Sequence, residues 1–346
     1  MKSKVFILYT GGTFGMKESE NGLEPSTWKE IIEYLPAIKN QTYFNHFSSI
    51  NFTFDTLEPV VDSSNMNPAI WKRIADCISD NYNSHDGFIV IHGTDTLSYT
   101  ASALSFMFEN LSKPIVLTGA QLPIFHPRTD GIINLSNAIY IAGYKRFELT
   151  CIPEVCICFN DDLLRGNRAI KSSTNDFEGF SSPNFENLAS LEQRIQISEN
   201  VLPIPEGKEL KIYPTFSQKV VNVTVFPGYN VAALQDLVDN KKIEGIVLKT
   251  FGSGNLPKDD SWKQLVQTCE KNEVIILATT QSANGRIEIG QYAASNFLKN
   301  PIVANGKDIT SPAALTKLMW VIGNFEFKDR IKMLSKSLRG EISLYN

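Results

Sequence analysis

Two short segments of this chain set hydroxyls and a carboxylate directly behind apolar runs: VFILYTGGTFGM at 5–16 and FIVIHGTDTLSYTASALSF at 88–106. In each, the apolar residues read as a buried strand that stops at a glycine-containing turn, and the second turn runs straight into a helix. Gly11 and Gly12 permit a sharp reversal and close backbone approach, and Thr13 then presents a hydroxyl. Thr94 and Asp95 follow Gly93 in the second turn. Threonine is a poor nucleophile unless a neighbouring group takes its proton. Two threonines at two strand ends, plus one acid, suggest nucleophilic catalysis on an acyl group. Taken singly, TGGT also reads as a structural turn. It fits neither GxxxxGK[ST] nor GxGxxG, which argues against nucleotide binding. Thr96 is itself a helix-cap candidate, so the cap does not require Asp95.

The proton acceptor is less obvious. Of the four histidines, His46, His85, His92 and His126, only His92 adjoins a candidate turn, where it reads as a satisfied strand-end residue. Lysine is the alternative base, because burial or a nearby cation depresses its pKa. RGNRAIKSS follows a strand ending at Phe159, so Lys171 can reach the same crevice, with Arg165 and Arg168 adding positive potential. By spacing alone, each of these also reads as a solvated loop charge. DSSNM (Asp62, Ser63, Ser64 and onward) lies between a strand and a helix, where Ser63 and backbone amides could hold a carboxylate. TFGSGN follows a later strand, and its Asn255 could contact a polar substrate. Read alone, both segments are loops and caps.

These groups need a scaffold of strands and helices. The first half alternates strands at 5–9, 51–56, 88–92, 114–118 and 155–159 with helices at 67–84, 96–111 and 129–142. Pro68 sits near the start of the first helix, and Thr129 with Asp130 marks the start of the last. Such alternation predicts an α/β fold with a mainly parallel sheet. ENVLPIPEGK interrupts the pattern. Beyond it come strands at 220–226, 245–248 and 274–278, and helices at 231–240, 258–272, 312–322 and 327–338. The expected organisation is a larger N-terminal doubly wound domain (1–199), a linker (200–210) and a smaller C-terminal α/β domain (211–346). In open α/β sheets, ligands sit beyond the carboxyl ends of the strands, where both threonine turns fall.

Composition narrows the classes. At 346 residues, 42% hydrophobic and 20% charged, the chain has material for two cores. A net charge of −4 with no basic block argues against nucleic-acid partners. No apolar run approaches the ~20 residues of a membrane span, and the five-residue run at 5–9 is too short for a signal peptide. Five cysteines without CxxC spacing read as buried thiols rather than a metal or redox centre and fit a cytoplasmic protein. Cys156 and Cys158 alternate within VCICF and are expected to share a buried face.

Together the motifs resemble the bacterial-type L-asparaginase family, in particular its cytoplasmic type I branch. The resemblance rests on YTGGTFGM, DSSNM, HGTDTLSYTASALSFMFENLSKP, TGAQLPI, RGNRAIK and DITSPAALTKL, which span nearly the whole chain in the family's order. It implies an amidohydrolase that needs no cofactor or metal and releases ammonia from L-asparagine, or from glutamine, through a covalent acyl-enzyme. By motif position Thr13 matches the nucleophile. Thr94, Asp95 and Lys171 match the group that polarises the threonine hydroxyl and the attacking water. Backbone amides near Thr94 would hold the oxyanion. Asp95 would pair with the substrate ammonium, and Ser63, flanked by Asp62 and Ser64, would hold its carboxylate. Asn255 matches a supporting position, and Glu288 loosely matches an acid supplied by a neighbouring subunit. The resemblance also implies a homodimer or homotetramer. One departure stands out: the family's mobile tyrosine in the loop after TGGT is matched here by Leu23. Two other readings share the core: the glutaminase-type subunit of glutamyl-tRNA amidotransferase, disfavoured by the acidic charge, and a non-catalytic amino-acid sensor.

Overall fold

The computed structural model describes residues 2–20, 22–35, 49–204, 207–290 and 293–344. His46 and, within the expected linker, Pro205 and Glu206 lie outside them. The chain divides into two compact units, Met1–Ser182 with Glu186–Ile212, and Pro183–Phe185 with Tyr213–Asn346.

The first unit is built on an eight-stranded sheet. In chain order its strands and the helices between them begin with β1 (Ser3–Tyr9), followed by a hairpin, β2 (Met16–Ser19) and β3 (Gly22–Pro25). Then come α1 (Trp28–Glu33), β4 (Ile50–Thr56), α2 (Pro68–Asn81), β5 (Gly87–Ile91) and α3 (Leu97–Met107). A short β6 (Phe108–Glu109), β7 (Ile115–Thr118), α4 (Gly131–Ala142), α5 (Tyr144–Phe147) and β8 (Val155–Phe159) follow. The sheet order is β13-β12-β9-β8-β7-β5-β1-β4, where β9 is Asp162–Arg165, β12 Ala189–Leu191 and β13 Ile195–Ile197. Between β9 and β12 lies a separate two-stranded ribbon of β10 (Ile170–Lys171) and β11 (Phe180–Ser181). The central strands β4, β1, β5, β7 and β8 are parallel. Their continuous apolar runs follow from burial on both faces: every residue of β5, β7 and β8 is buried.

From β1 the chain moves to β4 on one side, then returns to β5 on the other. The strand order therefore reverses between β1 and β5, which makes their carboxyl ends a topological switch point, the place where open α/β sheets bind ligands. Two sets of strands depart from expectation, whereas α4 starts after Asp130 as expected. The hairpin β2–β3 is missing from the periodicity because MKES and GLEP are polar. The edge strands β9, β12 and β13 are antiparallel and only three or four residues long. Asp130 does not cap α4 with its side chain. Its carboxylate instead accepts the amides of Gln121 and Leu122 and the Nδ2 of Asn134, leaving Thr129 Oγ1 to accept the Gly131 amide.

The stretch after residue 206 stays with the first unit, where β14 (Lys211–Ile212) pairs antiparallel with β6. The second unit carries a parallel sheet ordered β15 (Val220–Thr224), β16 (Gly245–Thr250), β17 (Ile275–Thr280), β18 (Val303–Asn305). Helices α6 (Ala232–Asp239), α7 (Asp260–Lys271), α8 (Ser311–Asn324) and α9 (Phe327–Ser335) accompany it. Here a completely buried ion pair ties the chain's end to α8. Lys317 Nζ is 2.6 Å from Glu341 Oε1, and both side chains are fully inaccessible. Lys317 also donates to the carbonyls of Leu334 and Lys336, while Glu341 accepts the amides of Leu338 and Arg339.

Candidate active site

Three turns meet at the carboxyl ends of β1 and β5. Thr10 extends β1 by one rung, its amide and Oγ1 both donating to the Ile91 carbonyl at 3.0 and 2.9 Å. The chain then reverses at Gly11 (φ +116°) and Gly12 (φ +85°), values that favour glycine. Gly12 lies against Gly93, so close that a Cβ on Gly12 would fall 2.2 Å from the Gly93 Cα. A Cβ on Gly93 would in turn fall 2.6 Å from Ser63 Oγ. The 11–13 and 92–96 turns are thus in backbone contact, and the 62–65 turn packs on Gly93 through the Ser63 side chain.

Thr13 opens a single helical turn, Thr13–Gly15, and is half-buried; its hydroxyl has no hydrogen-bond partner among the described residues. Thr94 opens the turn Thr94–Thr96 and is 5% exposed. Lys171, on the two-residue strand β10, donates from Nζ to Thr94 Oγ1 at 3.0 Å and to Asp95 Oδ1 at 2.6 Å. The lysine side chain is 17% exposed and the aspartate 66%, so the cation is largely shielded while the carboxylate faces solvent. An ammonium has three donors and no acceptor. One lone pair of Thr94 Oγ1 is therefore taken by Lys171, and the hydroxyl proton points elsewhere.

Ser63 is buried in the turn Ser63–Asn65. Asp62 is exposed and caps this turn, its Oδ1 accepting the Ser64 amide at 2.8 Å; the Ser64 side chain is exposed. Thr96 does not cap α3. Its Oγ1 instead donates to the Ser63 carbonyl at 2.7 Å, tying the second turn to the third. Arg165 supplies no free positive potential. It is buried, paired with Glu154 through two nitrogens and bonded to the Val201 carbonyl. Arg168 is buried, 1% exposed.

His92 is completely buried and satisfied at both ring nitrogens, Nδ1 to the Gly93 carbonyl (2.7 Å) and Nε2 to Thr100 Oγ1 (2.9 Å). Burial pushes its pKa down to about 4, the Gly93 bond opposing only in part. A residue that must take up a proton near neutrality is thereby disfavoured at this position. Neither Thr100 nor Trp71, which join His92 in one chain, carried a signal at sequence level beyond α-helical spacing.

Leu23 is half-exposed on β3, opposite Glu18 of β2. Asn255 belongs to the second unit, where its backbone forms a tight bridge with Phe251. Glu288, in the same unit, pairs with Arg286 at 2.7 Å. All five cysteines are free; Cys156, Cys158 and Cys269 are buried, whereas Cys77 and Cys151 are only half-buried. Among the described residues no group of three or more His, Cys, Asp or Glu is placed to hold a metal ion, and no helix is long and apolar enough to cross a membrane.

Comparison with known proteins gives matches over both units. The family model for the asparaginase N-terminal domain matches residues 4–202, and that for the glutaminase/asparaginase C-terminal domain matches residues 219–334. The chain is 37% identical over 347 residues to L-asparaginase 1 of Escherichia coli, covering 99% of this chain and 98% of that protein. The crystal structure of L-asparaginase I from Vibrio cholerae superposes with a TM-score of 0.87 at 35% identity, covering 99% of this chain and all (100%) of that one. The thermostable L-asparaginase from Thermococcus kodakarensis superposes with a TM-score of 0.88 at 27% identity, covering 99% and 100%.

Proposed function

The chain belongs to the asparaginase family, and from that premise we propose that it hydrolyses L-asparagine to L-aspartate and ammonia through an acyl-enzyme on Thr13. The observation that carries this reading is the Lys171 Nζ contact with Thr94 Oγ1 at 3.0 Å, in a turn that meets the Thr13 turn where Gly12 lies against Gly93.

The steps follow from the groups present. Thr13 Oγ attacks the side-chain amide carbon, and its proton passes to the departing nitrogen as the C–N bond breaks. Ammonia leaves, and an ester to Thr13 remains. Water then adds to the ester carbonyl, giving its proton toward Thr94. The C–O bond to Thr13 breaks, the proton returns to Thr13 Oγ, and aspartate is released. A cation at hydrogen-bond distance favours the deprotonated form of a hydroxyl, so Lys171 lowers the cost of displacing the Thr94 proton and lets Thr94 relay a proton taken from water. In each tetrahedral intermediate the Thr94 amide, at the open start of a helix, would donate to the oxyanion. The exposed Asp95 carboxylate suits the substrate ammonium, and Ser63 its carboxylate, with Asp62 and Ser64 shaping that turn. Asn255 would support the site, and the working enzyme would be a homodimer or homotetramer. Five free cysteines fit a cytoplasmic enzyme.

The test is ammonia release from asparagine by the wild type, Thr13→Ala and Thr94→Ala. Both variants are expected to lose at least about 10³-fold in kcat, as removal of a nucleophile or its activator does. Retained turnover in Thr13→Ala overturns the nucleophile assignment. Mass spectrometry of acid-quenched enzyme is expected to show an aspartyl adduct on the peptide containing Thr13.

A further inference from the structure

Behind the Thr94 turn runs an uncharged, buried hydrogen-bonded chain. Trp71 Nε1 lies 3.0 Å from Thr100 Oγ1, Thr100 Oγ1 lies 2.9 Å from His92 Nε2, and His92 Nδ1 lies 2.7 Å from the Gly93 carbonyl oxygen. It links α2 (Trp71), α3 (Thr100) and the end of β5 (His92). Its two ends fix the direction of every proton. An indole N–H can only donate, and a carbonyl can only accept. Thr100 Oγ1 therefore receives the indole proton and gives its own to His92 Nε2, while the ring proton sits on Nδ1 and bonds to Gly93. Ser102 and Ser105 of the same helix turn their hydroxyls back to the carbonyl four residues earlier. Thr100 does not, so His92 Nε2 is the only acceptor its proton meets among the described residues. The imidazole is neutral, in one tautomer.

The Gly93 oxygen belongs to the peptide whose nitrogen is that of Thr94. A hydrogen bond to a peptide oxygen polarises the amide and strengthens its N–H as a donor. It also fixes the plane of a peptide that Gly93, with no side chain, could otherwise rotate. We propose that His92 is a positioning residue that, held by Thr100 and Trp71, locks the Gly93–Thr94 peptide so that the Thr94 N–H is presented to the oxyanion. The proposal rests on the hydrolytic reading above. It places catalytic weight on a buried histidine that never meets the substrate and exchanges no proton with it.

The test separates the two ends of the ring. Asparagine at position 92 keeps an N–H near the Nδ1 position and can still reach the Gly93 carbonyl; glutamine sets its amide near the Nε2 position and leaves that carbonyl bare. His92→Gln is expected to lose on the order of 10²-fold in kcat, the cost of one oxyanion donor, with KM changed by less than about threefold. His92→Asn is expected to stay within about tenfold of the wild type. Should His92→Gln not fold, Thr100→Val against Thr100→Ser poses the same question. Valine breaks the relay and is expected to lower kcat, and serine keeps it. Independently of activity, ¹⁵N-histidine NMR is expected to show one neutral ring with its proton on Nδ1. A proton on Nε2, wild-type kcat in both His92→Gln and Thr100→Val, or a loss carried by KM alone overturns the proposal. Absence of ammonia release from asparagine by the wild type overturns the hydrolytic reading instead, and leaves the NMR assignment of the relay intact.

Discussion

Gly12 and Gly93 meet backbone to backbone at the strand-order reversal, and the contact constrains both. A Cβ on Gly12 would lie 2.2 Å from the Gly93 Cα and 2.4 Å from its nitrogen; one on Gly93 would lie 3.1 Å from the Gly12 Cα. Gly12 has φ +85° as well, so a side chain there meets both backbone strain and a wall of backbone. No flexible side chain can yield. The turn bearing Thr13 and the turn bearing Thr94 can lie this close because neither glycine carries a side chain.

Gly12→Ala is expected to cost roughly 2–4 kcal/mol of stability, strain plus overpacking, and to reduce kcat/KM by at least about 10²-fold. Gly22 provides the control, with φ +106° and nothing within 4 Å of its Cβ position. Gly22→Ala should show strain alone and near-normal turnover. Urea unfolding beside ammonia release distinguishes the two.

Thr96→Val deletes the 2.7 Å bond from Thr96 Oγ1 to the Ser63 carbonyl while keeping the side chain's shape. One hydrogen bond is worth about 1 kcal/mol, so the KM for asparagine is expected to rise about five- to tenfold, with kcat changing much less. Thr96→Ser should restore KM. A fall in kcat at unchanged KM would mean that the bond serves the Thr94 turn rather than Ser63.

In the second unit, burial raises the Glu341 carboxyl, but Lys317 and the amides of Leu338 and Arg339 outweigh it and hold the group ionised. Lys317→Met strands that charge and is expected to cost about 3–5 kcal/mol. Adding Glu341→Gln should recover much of the loss, because glutamine can still accept the two amides. Chemical denaturation of both variants checks this.

Acid should act on His92. Its folded pKa, near 4, lies below the ~6.5 of an unfolded histidine. Above pH ~6.5 both states are neutral, and the histidine contributes nothing that varies with pH. As pH falls from there toward 4, the unfolded chain takes up a proton that the folded chain refuses. Stability then declines, by on the order of 3 kcal/mol at the lower end. Urea midpoints measured across that window are expected to fall more steeply for the wild type than for His92→Asn.

Much of this architecture is legible in the amino-acid sequence, for physical reasons. Strands buried on both faces must be continuously apolar, so β1, β5, β7 and β8 stand out at once. Polar ribbons such as β2–β3, and three-residue edge strands such as β12, carry no comparable periodicity. Single side chains are harder still. Thr96 has the residue type and position of a cap, yet a carbonyl from a turn 33 positions earlier claims its proton. Arg165 reads as a loop charge until the antiparallel pairing of β9 with β8 brings it to Glu154, the residue just before β8. The pairing of His92 with Trp71 through Thr100 depends on two helices crossing, which no local pattern encodes.

Lys171 reaches Thr94 across 77 positions of chain, from a strand of two residues whose partner Phe180 comes later still. Closing so long a loop is slow relative to local structure. A growing or truncated polypeptide that stops before residue 171 already holds both glycine turns and the Thr13 hydroxyl, but lacks the cation. On the proposed mechanism, competence belongs to the completed topology: a chain that stops short of residue 171 carries the Thr13 hydroxyl without the lysine that contacts Thr94.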